Sequence, residues 1–418
     1  MNMNALPLPS PESSPELEEL DHRRLIQAYD LGHIEPHSPG LIHWHPNGVR
    51  VLQQLEAFVR QLHRRRGYEE VRSPALLSRQ LWEQSGHWDK YRQGMFVAEG
   101  PDGEGAYAVK PMSCPGQIGI YQHRRRSYRE LPLRLFEFGQ VHRREPSGSL
   151  SGWLRLRGFV QDDSHVFLAV DHIQQVVADF VDMVGQAYPA FGFERWKWRL
   201  SLRPQQRAGS DDLWDEAEGR LRQVCQDLGL EVEECPGEGA FYGPKLEAVL
   251  EDRLGRQWQC GVVQLDFVLP ERFGLTYQGP DGRDNHQPIL IHHAVLGSLE
   301  RWLAISLEHN GRLPDWLAPV VVGICPIGGE QKAAAHQLAH MLEEVGVAAQ
   351  VWADDPLKGR LRALAAAKVP IWAVLGQREV DGGDVSVRRA DGQAEVCDME
   401  GWVARMARLH RQRREWRP

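Results

Sequence analysis

A single stretch, Arg143 to His165 (RREPSGSLSGWLRLRGFVQDDSH), constrains the chain more than any other. It opens on an Arg-x-Glu pair, bends through Pro-Ser-Gly-Ser and returns with apolar residues in alternation, Leu154, Leu156 and Phe159. Alternation around a Gly-rich bend predicts an antiparallel hairpin. Its return strand would carry Arg155, Arg157, Gln161, Asp163 and His165 on the polar face. Arginines and carboxylates at alternate positions suit phosphate binding, but they also decorate exposed sheets. Periodicity by itself leaves both readings open.

The chain has 418 residues, room for two or three domains. Apolar residues make up 42% and charged ones 25%, as in ordinary globular proteins. No apolar run approaches the ~20 residues of a membrane span, and no signal-peptide pattern opens the chain. The cysteines (Cys114, Cys225, Cys235, Cys260, Cys325, Cys397) are scattered without a C-x-x-C pair. That pattern fits a reducing compartment, and a cytoplasmic protein is expected. The net charge of −8 does not advertise nucleic-acid binding, although a local basic patch can bind RNA within an acidic protein.

Residues 1–18, rich in Pro, Ser and Glu, read as a disordered lead-in. Val51, Leu52, Leu55, Phe58, Val59 and Leu62 recur at helical spacing after Pro46-Asn47-Gly48, and Gly67 to Pro74 reads as a strand. Cys114, between Ser and Pro, has the plain reading of a small buried hydrophobe. The run His123 to Arg126 is a solvated basic face or a phosphate contact. Amphipathic helices are expected from Ile173 to Val184 and from Ser210 to Leu228, the second ending at Gly229. Residues 237–245 (GEGAFYGPK) fail as a phosphate loop, because Pro244 separates the last Gly from Lys245 and no Ser or Thr follows. Composition changes at 314–319. Beyond it, strands and helices alternate as in a small three-layer α/β domain, and the chain ends on a basic helix or tail.

The stretch REPSGSL…RxRGFxQDDxH resembles motif 2 of the class II aminoacyl-tRNA synthetases, and in detail the threonyl-tRNA synthetases. The helix, strand and proline up to Pro74 are similar to motif 1, which forms a dimer interface in that class. Residues 291–301, with Gly297, Glu300 and Arg301, are similar to motif 3. The resemblance implies an α+β fold: a catalytic domain (19–316) built on an antiparallel sheet flanked by helices, then a three-layer α/β anticodon-binding domain (317–418). It implies a homodimer that ligates L-threonine to tRNA(Thr) through an adenylate, using ATP with Mg2+ and one Zn2+ per chain.

By the same resemblance, Arg143 would hold the α-phosphate and the incoming carboxylate, while Arg155 and Arg301 clamp the terminal phosphates. Phe159 would stack on adenine, Glu145 would contact its amino edge or the tRNA end, and Gln259 would complete the nucleotide site. Cys114, His165 and His292 match the family's zinc ligands. Met112, Gln161, Asp163, Tyr242 and Gln264 would receive threonine. His87 matches a histidine near the terminal ribose of the tRNA, and Glu379 and Arg388 match residues that read anticodon bases. His43 and His293 read as surface or packing histidines. Many family members carry further N-terminal domains that hydrolyse Ser-tRNA, so no editing in cis is expected here. The chain departs from the family pattern at Gln117, Ser151, His293 and 356–360.

Overall fold

In the computed structural model, residues 20–101, 105–390 and 392–414 are described; the expected lead-in lies outside them. Helix Pro46–Arg64 begins on its proline, whose missing N–H is no loss in a first helical turn. It buries Val51, Leu55, Phe58, Val59 and Leu62, the stripe its spacing predicts. Helices Ile173–Ala187 and Asp211–Asp227 form as expected, the second capped by Ser210 and closed by Gly229 at φ 65°.

These helices cover a mixed, mainly antiparallel sheet of eight strands. From one edge its order is Val232–Cys235, Trp196–Ser201, Lys245–Glu251, Gln257–Asp266, Ile289–Ala294, Gly158–Leu168, Leu133–His142 and Glu69–Glu70. The three strands Gln257–Asp266, Ile289–Ala294 and Gly158–Leu168 are buried along nearly their whole length. They form the floor of the site. The strand expected from Gly67 to Pro74 is confined to Glu69–Glu70, an exposed edge paired in parallel with Leu133–His142.

The hairpin differs in extent from its expected form. Its strands are Leu133–His142 and Gly158–Leu168, joined in register from His142↔Gly158 to Leu133↔Phe167. Arg155 and Arg157 therefore lie in the connection, not on the return strand. The backbone N–H of Arg157 and of Gly158 donate to the carbonyl of Gly40, at 2.8 and 3.2 Å, so an outside segment meets the chain where the strand begins. Leu154 and Leu156 are buried because the connection folds onto the domain. Their alternation records that packing and not a strand.

A second sheet of five strands is ordered Ala349–Val351, Val322–Pro326, Ile371–Leu375, Asp384–Arg389, Ala394–Asp398. Helices Lys332–Glu344, Leu357–Ala366 and Met399–Gln412 belong to this unit, which has its own apolar core. Arg389 donates to Asp315 (2.8 Å, both buried), tying this sheet to the segment that precedes it.

Candidate active site

The antiparallel floor sets the site by its two-residue period. Gln161, Asp163 and His165 share one face of Gly158–Leu168. His292 stands directly opposite His165 on the adjoining strand, and Gln264 directly opposite His292 on the next. Helix Cys114–Gln122 presents its first residue to the same place, with Pro115 preorganising the turn. The ligand atoms of Cys114, His165 and His292 all lie within 4.8 Å of one another, and all three residues are buried.

Neither ring nitrogen of His165 has a hydrogen-bond partner, although the side chain is 1% exposed. Leaving two such atoms buried is costly unless something coordinates them. His292 Nε2 lies 2.8 Å from Asp266 Oδ2, the carboxylate–histidine arrangement that orients a metal ligand. Burial pulls His165 and His292 down to about 3, so both are neutral and able to coordinate. Burial also pushes the Cys114 thiol well up, so it gives up its proton only to a cation beside it. The donor set of one sulfur and two imidazoles suits zinc and leaves room for further ligands.

Around this trio, Asp163 Oδ2 accepts from the Ser113 N–H (3.2 Å), and Tyr242 Oη donates to Gln264 Oε1 (2.8 Å). Met112 is buried beside them in the chain, at 4% exposed. Gln117, where the family has histidine, donates to the carbonyl of Asp163 (3.2 Å). His87 is fully buried, its Nδ1 2.8 Å from Ser85 Oγ and its Nε2 without a partner. Burial keeps it neutral down to about 3.

The arginines assemble at the hairpin end. Arg143 lies over the Phe159 ring at 5.2 Å and donates Nε–H to the carbonyl of Pro111 (3.2 Å), and one Nη is buried without a partner. Arg155 grips Glu145 Oε2 through Nε and Nη2, at 3.0 and 2.8 Å. Arg301 donates Nε–H to the Leu154 carbonyl (2.7 Å), which joins the helix Leu299–Asn310 to the hairpin connection. Gln259 donates to Glu247.

Three supports were absent from the sequence reading. Asp266 orients His292. Asp162, on the opposite face from its neighbours, accepts from the N–H groups of Val295, Leu296 and Gly297 at 2.8, 3.0 and 2.8 Å. Lys110 and Glu137 form a buried pair (3.2 Å) closed by Ser73. The strand period would have flagged Asp162, since a carboxylate on the inner face needs donors. Nothing local marks the other two.

His293 is buried, its Nε2 2.7 Å from Tyr68 Oη and its ring parallel to His63. Ser151 bridges to Arg155 within the hairpin connection. The site's residues do not include Glu379 and Arg388, which lie in the second unit. Glu379 accepts from the Gly376 N–H (3.0 Å), and Arg388 is exposed on Asp384–Arg389. In the departure at 356–360, Arg360 donates to the carbonyls of Asp355 and Pro326 and so anchors its helix to the sheet. Among the basic residues 123–126, Arg126 is buried and holds the Tyr121 and Ile120 carbonyls (2.9 Å each), a structural role. Among the described residues, no helix is long and apolar enough to cross a membrane.

Comparison with known proteins bears on this geometry. A family described as tRNA synthetase class II core domain (G, H, P, S and T) matches residues 96–310, and one described as anticodon binding domain matches 321–401. The chain is 46% identical over 382 residues to the threonine–tRNA ligase of Gluconacetobacter diazotrophicus, covering 91% of this chain and 59% of that protein. It is 46% identical over 398 residues to the threonine–tRNA ligase of Gluconobacter oxydans, covering 94% and 61%. The chain thus spans about six tenths of the length of these curated relatives. Among solved structures it resembles the RNA binding domain of threonyl-tRNA synthetase from Cryptosporidium parvum, with TM-score 0.89, 34% identity and coverage of 93% and 98%. It also resembles the putative threonyl-tRNA synthetase ThrRS-1 of Aeropyrum pernix, with TM-score 0.77, 28% identity and coverage of 96% and 97%.

Proposed function

Because the chain belongs to the threonyl-tRNA synthetase family of class II, we propose that it is a threonine–tRNA ligase. It takes ATP with Mg2+ and L-threonine, and passes the threonyl group to tRNA(Thr). The observation that carries this reading is the buried trio Cys114, His165 and His292 at the foot of an arginine-lined hairpin.

In the first step a carboxylate oxygen of threonine attacks the α-phosphorus of ATP. The bond from that phosphorus to the bridging oxygen breaks, and pyrophosphate leaves. Arg143 meets the charge that develops, because its guanidinium is held at one edge by Pro111 and presents a buried, unpartnered nitrogen at another. Phe159 beneath it supplies an apolar face for adenine. Arg155, fixed on Glu145, and Arg301, fixed on Leu154, receive the terminal phosphates. Gln259 completes the nucleotide site.

Cys114, His165 and His292 would hold zinc, and zinc there would supply a Lewis acid for the substrate amino and hydroxyl groups. Asp163, Gln161, Tyr242, Gln264 and Met112 surround the amino acid. Valine matches threonine in shape but lacks the hydroxyl. A site built for a polar group can reject an analogue without it by ~10⁴-fold or more. Serine differs by one methyl, worth only ~1–3 kcal/mol.

In the second step the terminal ribose hydroxyl of the tRNA attacks the acyl carbon and AMP departs. His87, whose Nε2 has no partner, is the side chain offered to receive the hydroxyl proton directly or through a water. Glu379 and Arg388 contact the anticodon bases. The exposed edge strand Glu69–Glu70 and the helix before it pair with a second copy as a homodimer, and the enzyme works in the cytoplasm.

Threonine-dependent ATP–pyrophosphate exchange tests the proposal. Exchange with threonine, weaker exchange with serine and none with valine is expected. Equal exchange with valine, or none with threonine, overturns it.

A further inference from the structure

Two buried carboxylates face each other beneath the amino-acid end of the site. Glu137 and Asp163 are direct cross-strand partners, 2% and 3% exposed. Side chains of such partners leave the same face of the sheet about 5 Å apart, and like charges there repel. The chain serves the two carboxylates unequally. Glu137 accepts from the Ser73 N–H (2.9 Å), the Ser73 hydroxyl (2.7 Å) and Lys110 Nζ (3.2 Å), and more weakly from Gln117 Nε2 (3.5 Å). Among the described residues, the Asp163 carboxylate accepts one hydrogen bond, from the Ser113 N–H.

Lys110 is the cation behind this difference. It is as buried as Glu137, and its Nζ also donates to Ser73 Oγ at 2.8 Å, so the three side chains close on one another away from water. A buried charge without a partner is strongly disfavoured, so Lys110 and Glu137 each require the other. With Glu137 neutralised and its oxygens occupied, Asp163 is the carboxylate left to meet the ammonium group of an amino acid.

Lys110 also opens the segment that builds this end of the site. Its next four residues supply the Pro111 carbonyl that anchors Arg143, the Met112 side chain, the Ser113 N–H and the Cys114 thiol. The Lys110 backbone is fixed on both sides, donating to Ala75 at 2.8 Å and accepting from His142 at 3.0 Å. The segment lies tight on the strand below: a Cβ on Gly139 would stand 2.5 Å from Ser113 Oγ.

We propose that Lys110, through its pairing with Glu137, is a positioning residue for the amino acid. It cancels the carboxylate beside Asp163 and so keeps Asp163 for the substrate ammonium. The proposal rests on the reading of the site as that of a threonine–tRNA ligase.

The test is a double-mutant cycle on threonine-dependent ATP–pyrophosphate exchange by the full chain, with Lys110→Met, Glu137→Gln and the two combined. Lys110→Met leaves Glu137 charged beside Asp163. Glu137→Gln frees the Lys110 ammonium to turn to Asp163 and compete with the substrate. Each single variant is expected to raise the KM for threonine about 10-fold or more, the scale of coupling between neighbouring charges. The double variant, neutral at both positions, should return to within about 3-fold of the wild type. The KM for ATP should stay level throughout. A structural role alone would move both KM values together and leave the double variant no better than the singles, and either result overturns the proposal. If Lys110→Met does not fold, Lys110→Gln removes the charge while keeping a donor for Ser73 and Glu137. Wild-type protein that gives no exchange with threonine sinks the ligase reading itself, whereas exchange with additive effects sinks only the role of Lys110.

Discussion

His165 and His292 stand directly opposite one another across two antiparallel strands, their rings 4.8 Å apart and nearly perpendicular. The sheet register brings them together, and Asp266, on the strand beyond, holds the second ring in place. Asp266→Asn removes the charge but keeps the shape. It is expected to weaken zinc binding by ~10–100-fold, as loss of an outer carboxylate typically does. Competition with a chromophoric chelator would measure this, and unchanged affinity would separate Asp266 from the metal.

Arg143 combines a fixed Nε with a buried nitrogen lacking a partner. Lysine keeps the charge but cannot supply both contacts from one planar group. Arg143→Lys should lower the rate of threonine-dependent exchange by ~10²–10³-fold, with little change in thermal stability. A loss of stability matching the loss of rate would assign the residue to the fold instead.

How much of this was readable from the sequence depends on the range of the interaction. Helices Pro46–Arg64, Ile173–Ala187 and Asp211–Asp227 announce themselves by period, because their packing stripe is local. The hairpin announces itself too, but not where it starts, since the Gly40 carbonyl that meets Arg157 comes from far along the chain. Cys114, His165 and His292 have no spacing signature, and family text alone pointed to them.

Asp162 shows what inner-face residues contribute. Its carboxylate is the acceptor for three consecutive backbone N–H groups that lead into the helix bearing Arg301. Asp162→Ala strands all three in a buried turn. A stability loss of about 3 kcal/mol or more is expected by denaturant titration, together with weakened ATP binding. Asp162→Asn, which keeps one acceptor oxygen, should fall between.

Arg388 is exposed on its strand, so Arg388→Ala should leave fold and pyrophosphate exchange intact. If it reads the anticodon, the KM for tRNA in aminoacylation rises about 10-fold or more, the scale of one lost base contact. Glu379 is a poorer probe, because its carboxylate also caps its own helix at Gly376. An unchanged KM for Arg388→Ala would remove that residue from the anticodon contact.

Glu308 gives the fold a defined acid limit. Burial raises its pKa, but the hydrogen bond from His22 and the hydrogen bond and charge of the Arg256 guanidinium outweigh that and hold it at about 2. His22 Nδ1 lies 2.5 Å from Glu308, while His22 Nε2 accepts from the Trp153 N–H at 3.1 Å. One carboxylate thus links the helix His22–Ala28, the helix Leu299–Asn310 and, through His22, the hairpin connection. A depressed carboxylate binds fewer protons folded than unfolded, so its stabilisation is complete above the unfolded value. It is lost as pH falls through the folded one. Between pH ~4.5 and ~2 the protein should therefore lose about 3 kcal/mol through this group. Glu308→Gln should be less stable at neutral pH and flatter across that window. Parallel stability–pH curves for the two proteins would show that the link carries no such energy.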